Sequence, residues 1–198
     1  MNTTLRSVTT RILHLSLLLA VLHQLLGSLV MEGPTPGAPV DAFFSLHEFG
    51  GLTSFGFVSL FWVWTLVRRN ETSLGALIPW FSPVRLTSVW GDLKLHVRAL
   101  LDLRLPDDDR GALASAVHGL GLLTVSMMAV TGTFSLVVSP ELATGVIAVH
   151  KTVANFMWAY IIAHASLAVM HQLNGRAVLR QMFLFKSKSH PGLRGAGS

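Results

Sequence analysis

Four stretches of the chain are apolar for longer than most helices of a soluble core. They run from about Arg11 to Val30, Phe43 to Val67, Ala112 to Val138 and Gly145 to Leu173. Each offers the roughly 20 residues that cross a hydrocarbon core of about 30 Å. The pattern predicts an all-α, integral membrane four-helix bundle forming a single domain over residues 1–198. Between the second and third stretches the periodicity changes. Leu86, Val89, Trp90, Leu93, Val97, Leu100 and Leu101 recur every three or four residues, while Lys94, Arg98 and Arg104 fall mainly on other faces. That spacing predicts an amphipathic helix over about 86–101, lying in the membrane interface. Ile78-Pro79-Trp80-Phe81 reads as an aromatic anchor at headgroup depth. Pro106 to Arg110 reads as a polar turn, and the tail Arg176–Lys188 as a second amphipathic segment on the same surface.

Composition agrees with the pattern. Charged residues make up 13% of the chain, about half the share usual in soluble domains, so lipid must cover part of the surface. The first stretch resembles a signal peptide in following Arg6 and Arg11. It is long for such a segment, no small-residue cleavage site follows, and it holds His14 and His23, so a retained helix is expected. Fourteen of the fifteen basic residues precede the first stretch, lie between the second and third, or follow the fourth; Lys151 is the exception. The positive-inside rule then places both termini and the long central loop in the cytoplasm. The same distribution argues against nucleic acid as the reason for the net charge of +5. Cysteine is absent, which removes disulfides, iron–sulfur clusters, thiolate zinc sites and cysteine nucleophiles together.

Nine histidines remain, most of them inside the apolar stretches. Ionisable groups at that depth are costly and usually functional. His150 and His164 are fourteen positions apart on the fourth stretch. On a helix that is about 40° short of four full turns and a rise of about 21 Å, so both rings project to one side near opposite membrane faces. Depth matching pairs His164 with His14 of the first helix, and His150 with His47 of the second. Two facing imidazoles with room for a flat macrocycle between them are what a six-coordinate haem iron needs. The pairs His14/His164 and His47/His150 are therefore candidate axial iron ligands for two haem b groups. Gly50 and Gly51 beside His47, and Ala163 and Ala165 beside His164, would let a porphyrin approach the backbone. Hydrogen bonding between helices is the plainer role for such residues, but four histidines at two matched depths favour haem. Zinc or copper is a weaker alternative, because isolated pairs without Asp, Glu or Cys make poor first shells.

Arg11-Ile-Leu-His14, His47-Glu-Phe-Gly-Gly, Val130-Thr-Gly132, and His150-Lys followed by His164 together resemble the bacterial cytochrome b-561 and nickel-hydrogenase cytochrome b family. The resemblance spans all four helices, and the spacing on the fourth is its most specific element. Leu15 stands where the family often has Trp after the first histidine. The family implies a four-helix core with two stacked haems, passing electrons between a site at one membrane face and quinone near the other. Its members include membrane subunits of hydrogenases and formate dehydrogenases and small stand-alone cytochromes.

Arg11 and Lys151 each adjoin a proposed ligand and are candidate partners for haem propionates; Arg11 could instead snorkel to headgroups. His118 and His171 lie at the depth of a quinone or a second-shell contact, with helix–helix hydrogen bonding or interfacial solvation as their plain alternatives. His23 is expected mid-membrane as polar packing, and His96 and His190 in solvent. Two histidines per iron leave no open position for oxygen, which disfavours an oxygen-reducing oxidase. The expected function is a di-haem electron carrier of the bacterial inner membrane, exchanging electrons with quinone and with a redox partner protein at the periplasmic face. Stand-alone superoxide oxidation coupled to quinone reduction is the enzymatic alternative, and a haem-free anchor subunit the structural one. Partner identity, direction of flow, quinone type and oligomeric state are not encoded in any motif.

Overall fold

The computed structural model describes residues 6–35, 37–69, 71–102, 104, 111–175 and 178–183. The expected polar turn at 106–110, His190 and most of the amphipathic tail lie outside the described residues. Among the described residues every regular element is helical: α1 (Val8–Gly27), α2 (Ala42–Val67), α3 (Leu74–Leu77), α4 (Pro83–Leu101), α5 (Ala112–Ser135), α6 (Pro140–Leu173) and α7 (Val178–Phe183), with a 3₁₀ turn at Pro79–Phe81. Four of these, α1, α2, α5 and α6, are long and apolar enough to cross a membrane.

Local chemistry explains where they begin and end. Helix α1 starts at Val8, ahead of the apolar run, because the Ser7 hydroxyl accepts a hydrogen bond from the Thr10 N–H at 3.2 Å. It stops at Gly27, where the chain turns over Ser28. Asp41 caps α2 by accepting from the Phe44 N–H at 3.1 Å. Helix α6 begins at Pro140 rather than near Gly145, since proline suits the first helical turn and Glu141 favours the positive end of the helix dipole. Helix α5 carries Gly111 at its N-cap, so its first turn is satisfied from elsewhere: the Asp92 carboxylate of α4 accepts from the Leu113 N–H at 3.1 Å.

The spanning helices pack in chain order, α1 on α2, α2 on α5 and α5 on α6, and α6 makes at most slight contact with α1 and α2. Helix α5 is the most enclosed of the four and α6 the least. The core between them is Val21, Leu25, Val58, Leu122, Val125, Met128, Ala129 and Met157. Trp62 donates to the Ser126 hydroxyl at 2.8 Å and ties α2 to α5 inside this layer. Neighbouring helices run antiparallel: Tyr160 meets Gly121 and His150 meets Gly132, so numbering rises on α5 as it falls on α6.

One end of the bundle is basic, with the start of α1, the segment between α2 and α5, and the end of α6. Here Glu71 locks α1 to the end of α2. Its carboxylate accepts from the Ser7 N–H at 3.1 Å and the Thr10 hydroxyl at 2.8 Å, and Arg68 lies 3.6 Å away. Trp64 donates to the same Thr10 hydroxyl at 2.8 Å. Burial acts to raise the Glu71 pKa, but these donors and the Arg68 charge outweigh it and hold the carboxyl below its ordinary value. Stability from this group is therefore present above the ordinary carboxylate range and is lost as pH falls through the depressed pKa. Glu71→Gln should lower the melting temperature at pH 7 in detergent, with the gap to the native chain closing toward pH 3. A gap that stays constant with pH would show that the charge is not what matters.

The segment after this lock folds back against the bundle. Leu77 and Pro79 are buried, and the Leu77 carbonyl lies where a side chain on Gly119 would have to be. Only glycine permits this approach. Gly119→Ala should destabilise by about 1–3 kcal/mol, the usual range for overpacking, measurable as a lowered denaturation midpoint. Helix α4, by contrast, buries none of its residues. Phe81, Val84, Trp90 and Leu101 are all more than half exposed.

Candidate histidine sites across the bundle

Five described histidines of the spanning helices fall into two groups at opposite ends. At the end away from the basic segments, His47 of α2 and His150 of α6 face each other, ring centres 6.3 Å apart and planes at 88°. These two helices otherwise scarcely touch. The His150 Nδ1 lies 3.1 Å from the Met128 carbonyl and 3.1 Å from the Thr131 hydroxyl, both on α5. A carbonyl can only accept, so Nδ1 carries the hydrogen and Nε2 keeps its lone pair. A metal ligand needs that tautomer, with the far nitrogen anchored and the near one free. The separation also suits a metal. An imidazole nitrogen binds a transition metal at about 2 Å, so two rings on one axis have centres about 6 Å apart. The residues at this end thus fit an axially ligated haem iron. The His47 Nδ1 is buried without a hydrogen-bond partner.

At the basic end, His14 of α1, His118 of α5 and His164 of α6 lie near one another. His118 and His164 are edge to face, centres 5.1 Å apart. That is too short for a metal between them by the same reckoning, so His118 stands beside His164 rather than across an iron from it. His118 Nδ1 is held by the Ala114 carbonyl at 2.6 Å, one turn back on its own helix. Tyr160 stacks on His164 with ring planes within 9° and centres 5.4 Å apart. Tyr160 in turn occupies the space that a side chain on Gly121 would need.

Several expected roles are altered by these positions. Gly50 does not open a cradle beside His47. A side chain there would run into the Gln24 amide and come within 2.9 Å of the His23 ring, so this glycine serves the approach of α1 to α2. His23 accordingly sits near the His47 end rather than mid-membrane, because α1 starts and stops earlier than its apolar run, and it pairs with Gln24 at 3.3 Å. Arg11 is 6% exposed and its Nε donates to the Arg6 carbonyl at 2.8 Å, which replaces a snorkelling role with a buried one. Lys151 is exposed. His171 is half-buried in the last turn of α6, two turns beyond His164. His96 is half-buried too, with Nδ1 on the Asp92 carbonyl at 2.8 Å rather than in open solvent. Among the described residues no three His, Asp or Glu converge as a closed metal-ion site requires.

Thr131, Tyr160 and Gln24 escaped attention in the sequence. Thr131 had one signal, its place in Val130-Thr-Gly132, and Tyr160 another, being the single tyrosine and one turn before His164. Gln24 had only its polarity within an apolar run.

Searches for similar curated proteins and for similar solved structures gave no significant match. The family comparison did: residues 5–184 match the model of the prokaryotic cytochrome b561 family. Its match covers all four spanning helices and every histidine of the two groups, and haem b is the cofactor that this family implies. The chain therefore belongs to the prokaryotic cytochrome b561 family, as a multi-pass membrane b-type cytochrome.

Proposed function

We propose that this cytochrome holds two haem b groups and carries electrons across the bacterial inner membrane between a redox partner at its acidic, periplasmic end and quinone at its basic, cytoplasmic end. The observation that carries the reading is the 6.3 Å separation of His47 and His150 on helices that otherwise stay apart. His14 and His164 are the second pair, with Tyr160 orienting His164 and His118 alongside. Haem b supplies one-electron chemistry at its iron when bound. The chain supplies the axial nitrogens, a water-poor interior formed by the Val21–Met157 core, and a fixed depth for each pair. Arg11, buried one turn before His14, and Lys151, next to His150, adjoin the two pairs in sequence and suit propionate carboxylates. His118 and His171 are the imidazoles placed to meet a quinone head at the basic end. The exposed apolar face of α4 fits a helix lying in the cytoplasmic headgroup layer.

Oxidation of superoxide is the second reading, and exposed Lys151 beside His150 is what favours it. The surrounding charge opposes it. Glu32, Asp41, Glu48 and Glu141 share this end with that one lysine. The Glu32 N–H, and then the first amides of α2, hold the Asp41 carboxyl below its ordinary pKa and keep it ionised. An acidic face steers a basic protein and repels an anion.

A pyridine haemochrome assay on purified chain tests the cofactor count. Two acid-extractable haem b per chain are expected, since no Cys-x-x-Cys-His attachment site exists. One haem or none would overturn the reading.

A further inference from the structure

Hydroxyls in an apolar helix ordinarily satisfy themselves by bonding the carbonyl one turn back. Thr124 and Thr152 do so, at 2.8 Å from Leu120 and 2.9 Å from Ala148. Thr131 makes that bond too, at 2.7 Å to Met127, but it also reaches across to α6. Its oxygen lies 3.1 Å from the His150 Nδ1. Having spent its one hydrogen on the helix, the hydroxyl meets the imidazole as an acceptor, sharing the Nδ1–H with the Met128 carbonyl at 3.1 Å. The adjoining Gly132 makes the approach possible: a Cβ there would stand 3.2 Å from the His150 Cε1 and 3.5 Å from Nδ1. On the opposite ring the His47 Nδ1 is buried without a hydrogen-bond partner.

We propose that Thr131 is a positioning residue for His150, fixing the ring through its Nδ1–H and lowering the midpoint potential of the haem at the acidic end. This rests on His150 being an axial ligand. An acceptor on the far nitrogen of an imidazole draws its hydrogen away and leaves more electron density on the metal-facing nitrogen. A more basic ligand stabilises the oxidised iron over the reduced one, which lowers the potential. Of the two acceptors on Nδ1, the Met128 carbonyl is present whatever the side chain, so the adjustable part belongs to Thr131. The effect is confined to one haem, because neither His14 nor His164 touches this part of α5.

Optical redox titration of the purified, haem-loaded full chain separates the possibilities, with haem content measured on every sample. Thr131→Val keeps the size of the side chain and removes the acceptor. It should retain two haems and shift upward only the component that His150→Ala eliminates. Thr131→Ser should restore the native potential, and Gly132→Ala, whose new methyl presses on the ring, should move that same component alone. Loss of that one haem in Thr131→Val, with the other kept, also supports the proposal. Equal shifts of both components, or no shift in Thr131→Val while both haems are retained, whatever Gly132→Ala does, would overturn it and leave the haem assignment standing. Two intact haems in His150→Ala would instead overturn the ligand assignment, and the proposal with it.

Discussion

His47→Ala and His150→Ala should each lose one haem b of two, and should lose the same one. His14→Ala and His164→Ala should both lose the other. Losing one axial nitrogen leaves a single bond to hold the iron, and the opposite helix no longer closes the site. The prediction is large because helices α2 and α6 meet hardly anywhere except at this pair, so no packing substitutes for the missing ligand. Redox titration reads it directly: the variants should divide into two sets, each with the residual potential of the haem left behind. The inner assignment is the sharper test. His118 lies nearer His164 than a trans ligand can, so His118→Ala should keep both haems and perturb the spectrum of one. If His118→Ala and His164→Ala removed the same haem while His14→Ala removed none, α5 rather than α1 would supply the ligand.

Reduction of the cytochrome by a basic soluble protein should slow by at least tenfold between low and high ionic strength. Glu32, Asp41, Glu48 and Glu141 gather at the end of the bundle near His47 and His150, with Glu32 and Glu141 exposed. Electrostatic steering changes association rates by about 10–10³-fold. It fades with salt as the screening length contracts to about 10 Å at 0.1 M. Stopped-flow absorbance of the haem, across a salt series, provides the measurement. Glu32→Lys combined with Asp41→Lys should slow the reaction at low salt and flatten the dependence. Superoxide offers the opposite case, because the same carboxylates repel it. Near-diffusion-limited reduction by superoxide in the native chain, abolished by Lys151→Glu, would make this protein an oxidase in its own right and displace the relay.

Spans, their number and the interval in depth between His150 and His164 were legible along the chain, because each is a local property; the depth of His23 was not, because it hung on where α1 starts. A bilayer asks for about 20 apolar residues whatever surrounds them, and helical rise converts the interval from His150 to His164 into a depth without knowledge of any neighbour. Helix ends were less legible where a single cap decided them, as Ser7 does for α1 and Pro140 for α6. Rotation about each helix axis was settled only in three dimensions. Lipid is as apolar as the interior of the bundle, so a spanning helix carries no polar stripe to mark its outward face. Nothing in the order of residues, then, put Gly50 against Gln24 rather than a cofactor, His118 against His164, or the Thr131 hydroxyl against the His150 ring. Those contacts depend on how α1 meets α2 and α5 meets α6, and on glycines at 50, 121 and 132 that let side chains of one helix reach the backbone of the next.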